Sequence, residues 1–356
     1  MKSWDVIVVG GGIIGLTLSL ELRKRGLSVV VLDKGEPGQE ASWAAGGMLA
    51  NCGAENPPAL KPLANTSAAM YPEFVAELED ASGIKVDLRS TGTLLFPAPS
   101  QSAQDIPGSQ TLPAPITELE PGLEVGGRTV TFLAERSLGP RLLVEAALKS
   151  ALHRGVEVKH GEHVVSVDVS EGHAVGVTTT KTSYSAPKIV NCAGAWAGMI
   201  APYEFPTRPV KGQMVSFIMP RRNLLQHVVR SPEIYLIPRS DGRLLAGATV
   251  EEAGFDKRTV PETIQKLEHA AIAMLPALKG ARILEAWAGL RPGTPDALPL
   301  LGATPTPGYY VATGHFRDGI LLAPITARVM RRVMMGEDPQ TDLRSFSPSR
   351  FAACVV

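Results

Sequence analysis

The chain is 356 residues long, 44% hydrophobic and 20% charged, with 35 glycines; this excludes a disordered or fibrous protein and leaves length for two intertwined domains. Lys plus Arg equal Asp plus Glu at 35 each, which excludes the basic footprint of a nucleic-acid or anionic-membrane binder and favours a small uncharged or zwitterionic partner. Cys52, Cys192 and Cys354 fit neither a disulfide framework nor zinc-ligand spacing, so a reducing cytoplasm is the expected compartment.

The first apolar stretch, Val6 to Leu20, follows Asp5 and is interrupted by glycines, with no small-residue cleavage site after it, so it does not read as a signal segment. No stretch elsewhere reads as a membrane span. Val6 to Val9 is a β-branched run without polar alternation, the pattern of a fully buried strand. Gly10, Gly12 and Gly15 follow as G-x-G-x-x-G. Ile14 to Arg25 predicts a helix stopped by a left-handed Gly26, and Val29 to Leu32 a second strand ending at Asp33.

Each part has a task in a dinucleotide site. Gly10 permits the tight turn, Gly12 a close approach to pyrophosphate, and Gly15 the packing of helix on strand. The helix N-terminus around Ile14 offers free N–H groups to phosphate, and Asp33 is placed for ribose hydroxyls. A glycine-rich turn without ligand is the alternative, but strand, glycines, helix, strand and acid all occur in order. FAD and NAD share the ADP half, so this unit does not choose between them.

Beyond Lys34, the tract Glu40 to Leu49 contains Ser42, Ala45, Gly46, Gly47 and Met48. It is too rich in glycine for a stable helix and too apolar for a solvated loop; it suits either a flat ligand or a packed turn. Arg141 to His153 predicts a helix, Glu157 to Val169 short strands, and Lys188 to Ala195 a buried strand leading to Gly194. The stretch 206–260 holds strand-like runs bounded by Pro, Gly and Asp. Trp287 to Asp296 sets Arg291 between an apolar run and a rigid turn. Gly314 to Pro324 follows a strand at Tyr309 to Ala312 and carries His315, Arg317, Asp318, Gly319, Ile320 and Leu321 into a helix. The positive end of that helix could face negative charge on a flavin ring.

Taken together, the fingerprint Gly10 to Gly15, ASWAAGGML, PVKGQ at Pro209 to Gln213, IYLIPR at Ile234 to Arg239, AGLRPGTPD and GHFRDGILLAP resemble the glycine-oxidase branch of the D-amino-acid oxidase family. The likeness thins between about Pro97 and Gly139. The resemblance implies an α/β fold, α+β overall: a Rossmann-like FAD-binding domain from segments 1–80, 140–205 and 285–356, and an antiparallel-sheet substrate domain from 81–139 and 206–284. It implies FAD as cofactor, contacted by Gly10, Gly12, Ile14, Gly15, Asp33, Lys34, Ser42, Ala45, Gly46, Gly47, Met48, Gly194, Arg291, His315, Arg317, Asp318, Gly319, Ile320 and Leu321. No histidine precedes His153 and no cysteine lies between Cys192 and Cys354, so the flavin is expected to be non-covalent.

By the same resemblance, Arg291 grips the substrate carboxylate, a task that suits a guanidinium fork; Tyr235, Arg317 and Met48 line the substrate site, and no side chain is assigned acid–base work. The implied reaction is oxidative deamination of glycine, another small amine or a D-amino acid. Hydride leaves the α-carbon, the imine hydrolyses to an oxo acid and ammonia, and O2 becomes H2O2. A role in thiamine thiazole synthesis, a homotetramer and a cytoplasmic location are also implied. Two other readings stay open: a dehydrogenase passing electrons to a quinone or partner protein, and a non-catalytic flavin-binding subunit. The chain departs from the family at Leu49 to Cys52, at Val250 in place of a pocket methionine, and at Glu233 in place of a histidine, changes expected to touch pocket volume and polarity.

Overall fold

The computed structural model describes residues 3–52, 56–221 and 224–351. Cys354 and the last residues assigned to the segment 285–356 lie outside the described residues.

Val6–Val9 is the centre of a six-stranded sheet, flanked by Val29–Leu32 and Glu157–Lys159 on one side and by Ile189–Asn191, Tyr309–Thr313 and Leu300–Ala303 on the other. The pairings are parallel except at the Leu300–Ala303 edge, which runs antiparallel. The lack of polar alternation in VIVV and VVVL has a direct cause, since both faces are covered. Val6, Val8, Val29 and Val31 point into a core made with the helices Ile13–Arg23, Lys61–Ser82, Pro140–His153 and Gly319–Met334. Ile7, Val9, Val30 and Leu32 face a three-stranded antiparallel meander, Val164–Ser170, His173–Thr179 and Ser183–Ser185.

A second sheet has eight strands, in the order Ile283–Gly293, Arg208–Ile218, Arg243–Gly247, Tyr235–Pro238, Val228–Arg230, Thr93–Leu95, Thr131–Leu133 and Ser109–Gln110. It was expected to be antiparallel; the Val228–Arg230 and Thr93–Leu95 pair is parallel, because the two come from distant segments joined by a long crossover. Here the strands alternate. Val215, Phe217, Leu236, Leu244 and Ala246 pack under the helix Pro261–Met274, while Met214, Val228, Ile237, Leu245 and Trp287 turn the other way, toward Ala44 and Met48.

Several local expectations shift. The first helix spans Ile13–Arg23, and Gly26 is left-handed (φ 80°). The tract read as too glycine-rich for a helix contains one turn at Ala41–Ala44 before a short strand at Met48–Leu49; the glycines fall only after the turn. The strand expected over Lys188 to Ala195 holds only Ile189–Asn191, because a left-handed Gly194 (φ 58°) opens a 3-10 turn over Gly194–Met199. Arg291 lies inside the edge strand Ile283–Gly293 rather than before a turn, and Pro292 is tolerated there as edge strands allow.

Two helices carry internal prolines, at Pro72 and Pro324. A proline has no N–H for the carbonyl four residues earlier. Those carbonyls, Ala68 and Ile320, receive side-chain donors instead: Arg136 Nη1 donates to Ala68 O at 3.3 Å, and the buried Tyr71 hydroxyl donates to Ile320 O.

Candidate active site

A cavity of about 400 Å³ lies between the carboxyl ends of the parallel strands and the inner face of the eight-stranded sheet. Val9, Asp33, Cys192 and Thr313, at or just past strand ends, form one wall; Met214, Tyr235, Gly247 and Arg291 form the other. Ligands of open α/β sheets bind outside strand carboxyl ends.

The glycine fingerprint is packed as a ligand cradle requires. Gly10 is left-handed (φ 104°), and a Cβ on it would stand 2.5 Å from the Cys192 carbonyl oxygen. A Cβ on Gly15 would stand 2.0 Å from Gly10 O, so Gly15 lies behind the cavity and serves the helix-on-strand contact. Gly12 begins the helix without a capping side chain of its own. Ser42 supplies the missing oxygen: its Oγ accepts from Ile13 N at 3.0 Å. The Asp33 carboxylate accepts from Gly11 N at 2.7 Å and Gly35 N at 2.8 Å; burial raises its pKa and these two bonds oppose the rise. Lys34 places its ammonium 3.2 Å from the centre of the Trp196 ring, over its face.

Around the 40–49 tract, Ala45, Gly46, Gly47 and Met48 all line the cavity. A Cβ on Gly47 (φ 77°) would meet Leu138 O at 2.1 Å, and one on Gly46 would meet Ile237 Cδ1 at 2.8 Å. The absence of side chains lets the tract pass between the two sheets as well as border the cavity.

Arg291 reaches the cavity with its Nη1 donating to the carbonyls of Lys211 (3.3 Å) and Thr249 (3.0 Å), which aims the rest of the fork inward. Burial lowers its pKa, partly offset by Tyr235. Burial likewise raises the Tyr235 phenol, against the pull of Arg291 and Arg317. These three groups therefore converge. Phe316 is left-handed (φ 47°) and its N–H donates to Pro292 O at 2.9 Å, tying the turn that holds Arg317 to the strand that holds Arg291; a bulky residue there marks a conformation imposed by its surroundings.

His315 is 3% exposed, shares a hydrogen bond with Thr326 Oγ1 at 3.1 Å, and is held by burial at a pKa of about 3. It is neutral at working pH. Gly319 is the first residue of its helix and lines the cavity with Asp318 and Ile320. Leu321 is not on the lining, and its carbonyl accepts from Ser67 Oγ at 2.6 Å. Gly194 and Ile14 are on the lining.

Of the departures from the family pattern, Glu233 is on the cavity wall, whereas Val250 is half exposed and Ala248 lines the cavity in its neighbourhood; Val250 does not alter the pocket as expected. The sequence reading missed Arg230, also on the wall. It stands directly opposite Tyr235 in the antiparallel ladder, hence on the same sheet face, and pairs with the buried Glu135 at 3.3 Å. Only strand register, which the sequence alone does not reveal, could have found it. Cys192 and Cys52 are free thiols that burial pushes away from the reactive thiolate form.

Among the described residues no helix is long and apolar enough to cross a membrane, and no group of three or more His, Cys, Asp and Glu is placed to hold a metal ion.

The chain is 32% identical over 363 residues to a glycine oxidase of Pseudomonas putida, covering 97% of this chain and 98% of that one. It is 36% identical to the bifunctional protein ThiO/ThiG of Synechocystis, of which it spans 54%, about half the length. Its fold superposes on the crystal structure of glycine oxidase from Geobacillus kaustophilus with a TM-score of 0.92 at 29% identity, covering 98% and 99% of the two chains. The family of FAD-dependent oxidoreductases described as DAO matches residues 5–332. The chain belongs to this DAO family of FAD-dependent oxidoreductases.

Proposed function

We propose that this chain oxidises glycine or another small primary or secondary amino acid to the imine, which water hydrolyses to an oxo acid and ammonia, or to the carbonyl and the corresponding amine where the nitrogen was secondary, while O2 is reduced to H2O2. The observation that carries the reading is the convergence of Arg291, Tyr235 and Arg317 on a cavity that also holds the glycine fingerprint.

The residues assigned to FAD run from Gly10, Gly12 and Asp33, through Lys34 and the Ser42–Met48 tract, to Gly194 and the 315–320 turn. When bound, FAD supplies the two-electron acceptor that the protein's own side chains lack. The chain's contribution is binding and orientation. Arg291 takes the substrate carboxylate, its fork fixing two oxygens at once; Tyr235 donates its hydroxyl to the same end, and Arg317 adds a second positive charge. Met48 limits the depth of the pocket. Neutral His315 holds its turn through Thr326 and moves no proton.

Segments 1–80, 140–205 and 285–356 are assigned to cofactor, and 81–139 and 206–284 to substrate. The boundary at 284/285 falls within the strand Ile283–Gly293, so that strand serves both. Thiazole synthesis for thiamine, a cytoplasmic location and a homotetramer complete the reading, supported by the family resemblance and by the free thiols Cys52 and Cys192. Light scattering of the purified holoenzyme is expected to return four chains; a monomer contradicts the assembly.

The test of the reaction is H2O2 release with glycine, sarcosine, D-alanine and D-proline. Turnover with at least one, lost in Arg291→Met, is expected. Turnover with none, or full activity in Arg291→Met, overturns the assignment.

A further inference from the structure

The Arg291 fork can fix a carboxylate only if it keeps one direction, and that direction comes from two carbonyls outside the cavity lining. Its Nη1 donates to Lys211 O at 3.3 Å and to Thr249 O at 3.0 Å. Lys211 belongs to the strand Arg208–Ile218, which pairs with the strand of Arg291 along its whole length, so its carbonyl is placed by a regular ladder. Thr249 has no such support. It lies two residues past the end of the strand Arg243–Gly247, in a segment that belongs to no strand.

Glu251 supplies the hold that Thr249 lacks. Its backbone exchanges N–H···O bonds with Lys211, both at 2.9 Å, which brings its side chain alongside Gln213. Glu251 Oε1 accepts from the Thr249 hydroxyl and, at 2.8 Å, from Gln213 Nε2. The same hydroxyl accepts from Gln213 N at 2.9 Å, so the Thr249 side chain is bound from both sides. Gln213 is fully buried, and its Oε1 accepts from Val260 N at 2.7 Å, which leaves its amide nitrogen for Glu251. Glu251 Oε2 lies 3.9 Å from the ammonium of the buried Lys211. Burial lowers the pKa of Arg291, and the Glu251 charge is among those that oppose the fall. Glu251, Thr249 and Gln213 are all absent from the cavity lining, so none of them meets a substrate directly.

We infer that Glu251 is a positioning residue for the substrate carboxylate: by clamping Thr249 to Gln213 it fixes the Thr249 carbonyl, and through that carbonyl the direction of the Arg291 fork. The inference rests on Arg291 binding the substrate carboxylate. One side-chain oxygen that accepts from both donors is what the clamp needs; Glu251→Gln keeps that oxygen and Glu251→Ala removes it.

The test titrates the FAD-loaded enzyme with acetate, a carboxylate with no amine to oxidise, read from the shift of the flavin absorption band. Glu251→Ala is expected to weaken acetate about tenfold or more, the scale of a lost hydrogen bond to a charged group, with flavin content unchanged, and Glu251→Gln to bind within about threefold of the unsubstituted enzyme. Thr249→Val removes the hydroxyl with little change of shape and is expected to weaken acetate about threefold or more, which decides the matter if Glu251→Ala does not fold. In turnover, Glu251→Ala is expected to lower kcat/KM for the best amino acid chiefly through KM, and by less than about threefold in the Arg291→Lys enzyme, because residues acting through one group are not additive. Acetate binding that neither Glu251→Ala nor Thr249→Val weakens, no rescue by Glu251→Gln, or an undiminished loss in the Arg291→Lys enzyme overturns the inference. Acetate binding indifferent to Arg291→Lys overturns instead the carboxylate assignment on which it rests.

Discussion

Arg291 is aimed by two backbone carbonyls, at Lys211 and Thr249, so its charge and its direction are set separately. Arg291→Lys keeps the charge and loses the fork. A charge-assisted hydrogen bond contributes about 1.5–3 kcal/mol, so kcat/KM for glycine is expected to fall about 10- to 100-fold, with the flavin content unchanged; a loss of less than threefold would mean that the fork does not bind substrate. His315 offers a pH test. Burial depresses its pKa to about 3 from an unfolded value of about 6.5, so the unfolded chain binds the extra proton between these values and stability falls as pH drops from about 6.5 toward 3. Replacing it with Gln, which keeps a polar group for Thr326, is expected to flatten that acid limb by up to one proton in urea midpoints measured from pH 7 to 4. An unchanged slope would show that His315 is not held neutral. At this scale the sequence was most legible where a residue type has one use: the glycines of the fingerprint and Asp33. It was silent on Arg230, whose place beside Tyr235 depends on register, and misleading on Val250, which is half exposed and not on the cavity lining.

Elements explain the glycines and prolines that the sequence presents as turn signals. Gly212 pairs with Gly289 across neighbouring strands. A Cβ on Gly212 would stand 2.3 Å from the Arg291 guanidinium, and one on Gly289 would stand 2.4 Å from the Ala44 Cβ. These glycines make room for the cavity's arginine and for the 40–49 tract within a regular ladder. Placing a rigid turn just after Arg291 missed this, because glycine and proline report backbone freedom and not which neighbour needs the space. Gly212→Ala is expected to leave the fold and flavin content intact while raising KM for glycine several-fold, since the displaced atoms are the mobile end of a side chain; unchanged KM with intact folding would contradict the packing account. The helix Gly319–Met334 depends on a distant hydroxyl, since Tyr71 fills the place of the N–H that Pro324 lacks. Tyr71→Phe leaves a buried carbonyl unsatisfied and is expected to cost about 1–3 kcal/mol in denaturant unfolding. No measurable change would mean that water replaces the hydroxyl there.

For the molecule as a whole, buried parallel strands were the most legible feature, because VIVV and VVVL can be satisfied only by a sheet covered on both faces. The covering differs on the two sides, helices on one and a meander on the other; both coverings are apolar, so the strand sequences do not distinguish them. Of the eight-stranded sheet, the four strands within 206–260 were legible as strands; the others were not, nor was the order, which joins segments more than a hundred residues apart, Thr93–Leu95 beside Val228–Arg230. That long-range closure brings Tyr235 and Arg291 opposite the strand ends that carry the glycine fingerprint, so cofactor and substrate residues share one cavity. The most direct test is anaerobic mixing of the yellow holoenzyme with glycine, sarcosine, D-alanine and D-proline, following the oxidised flavin band, and then admitting air. Bleaching by a small amino acid with rapid return of colour and formation of H2O2 is the predicted result; bleaching that air does not reverse would point to a different electron acceptor, and no bleaching with any of the four would contradict the account.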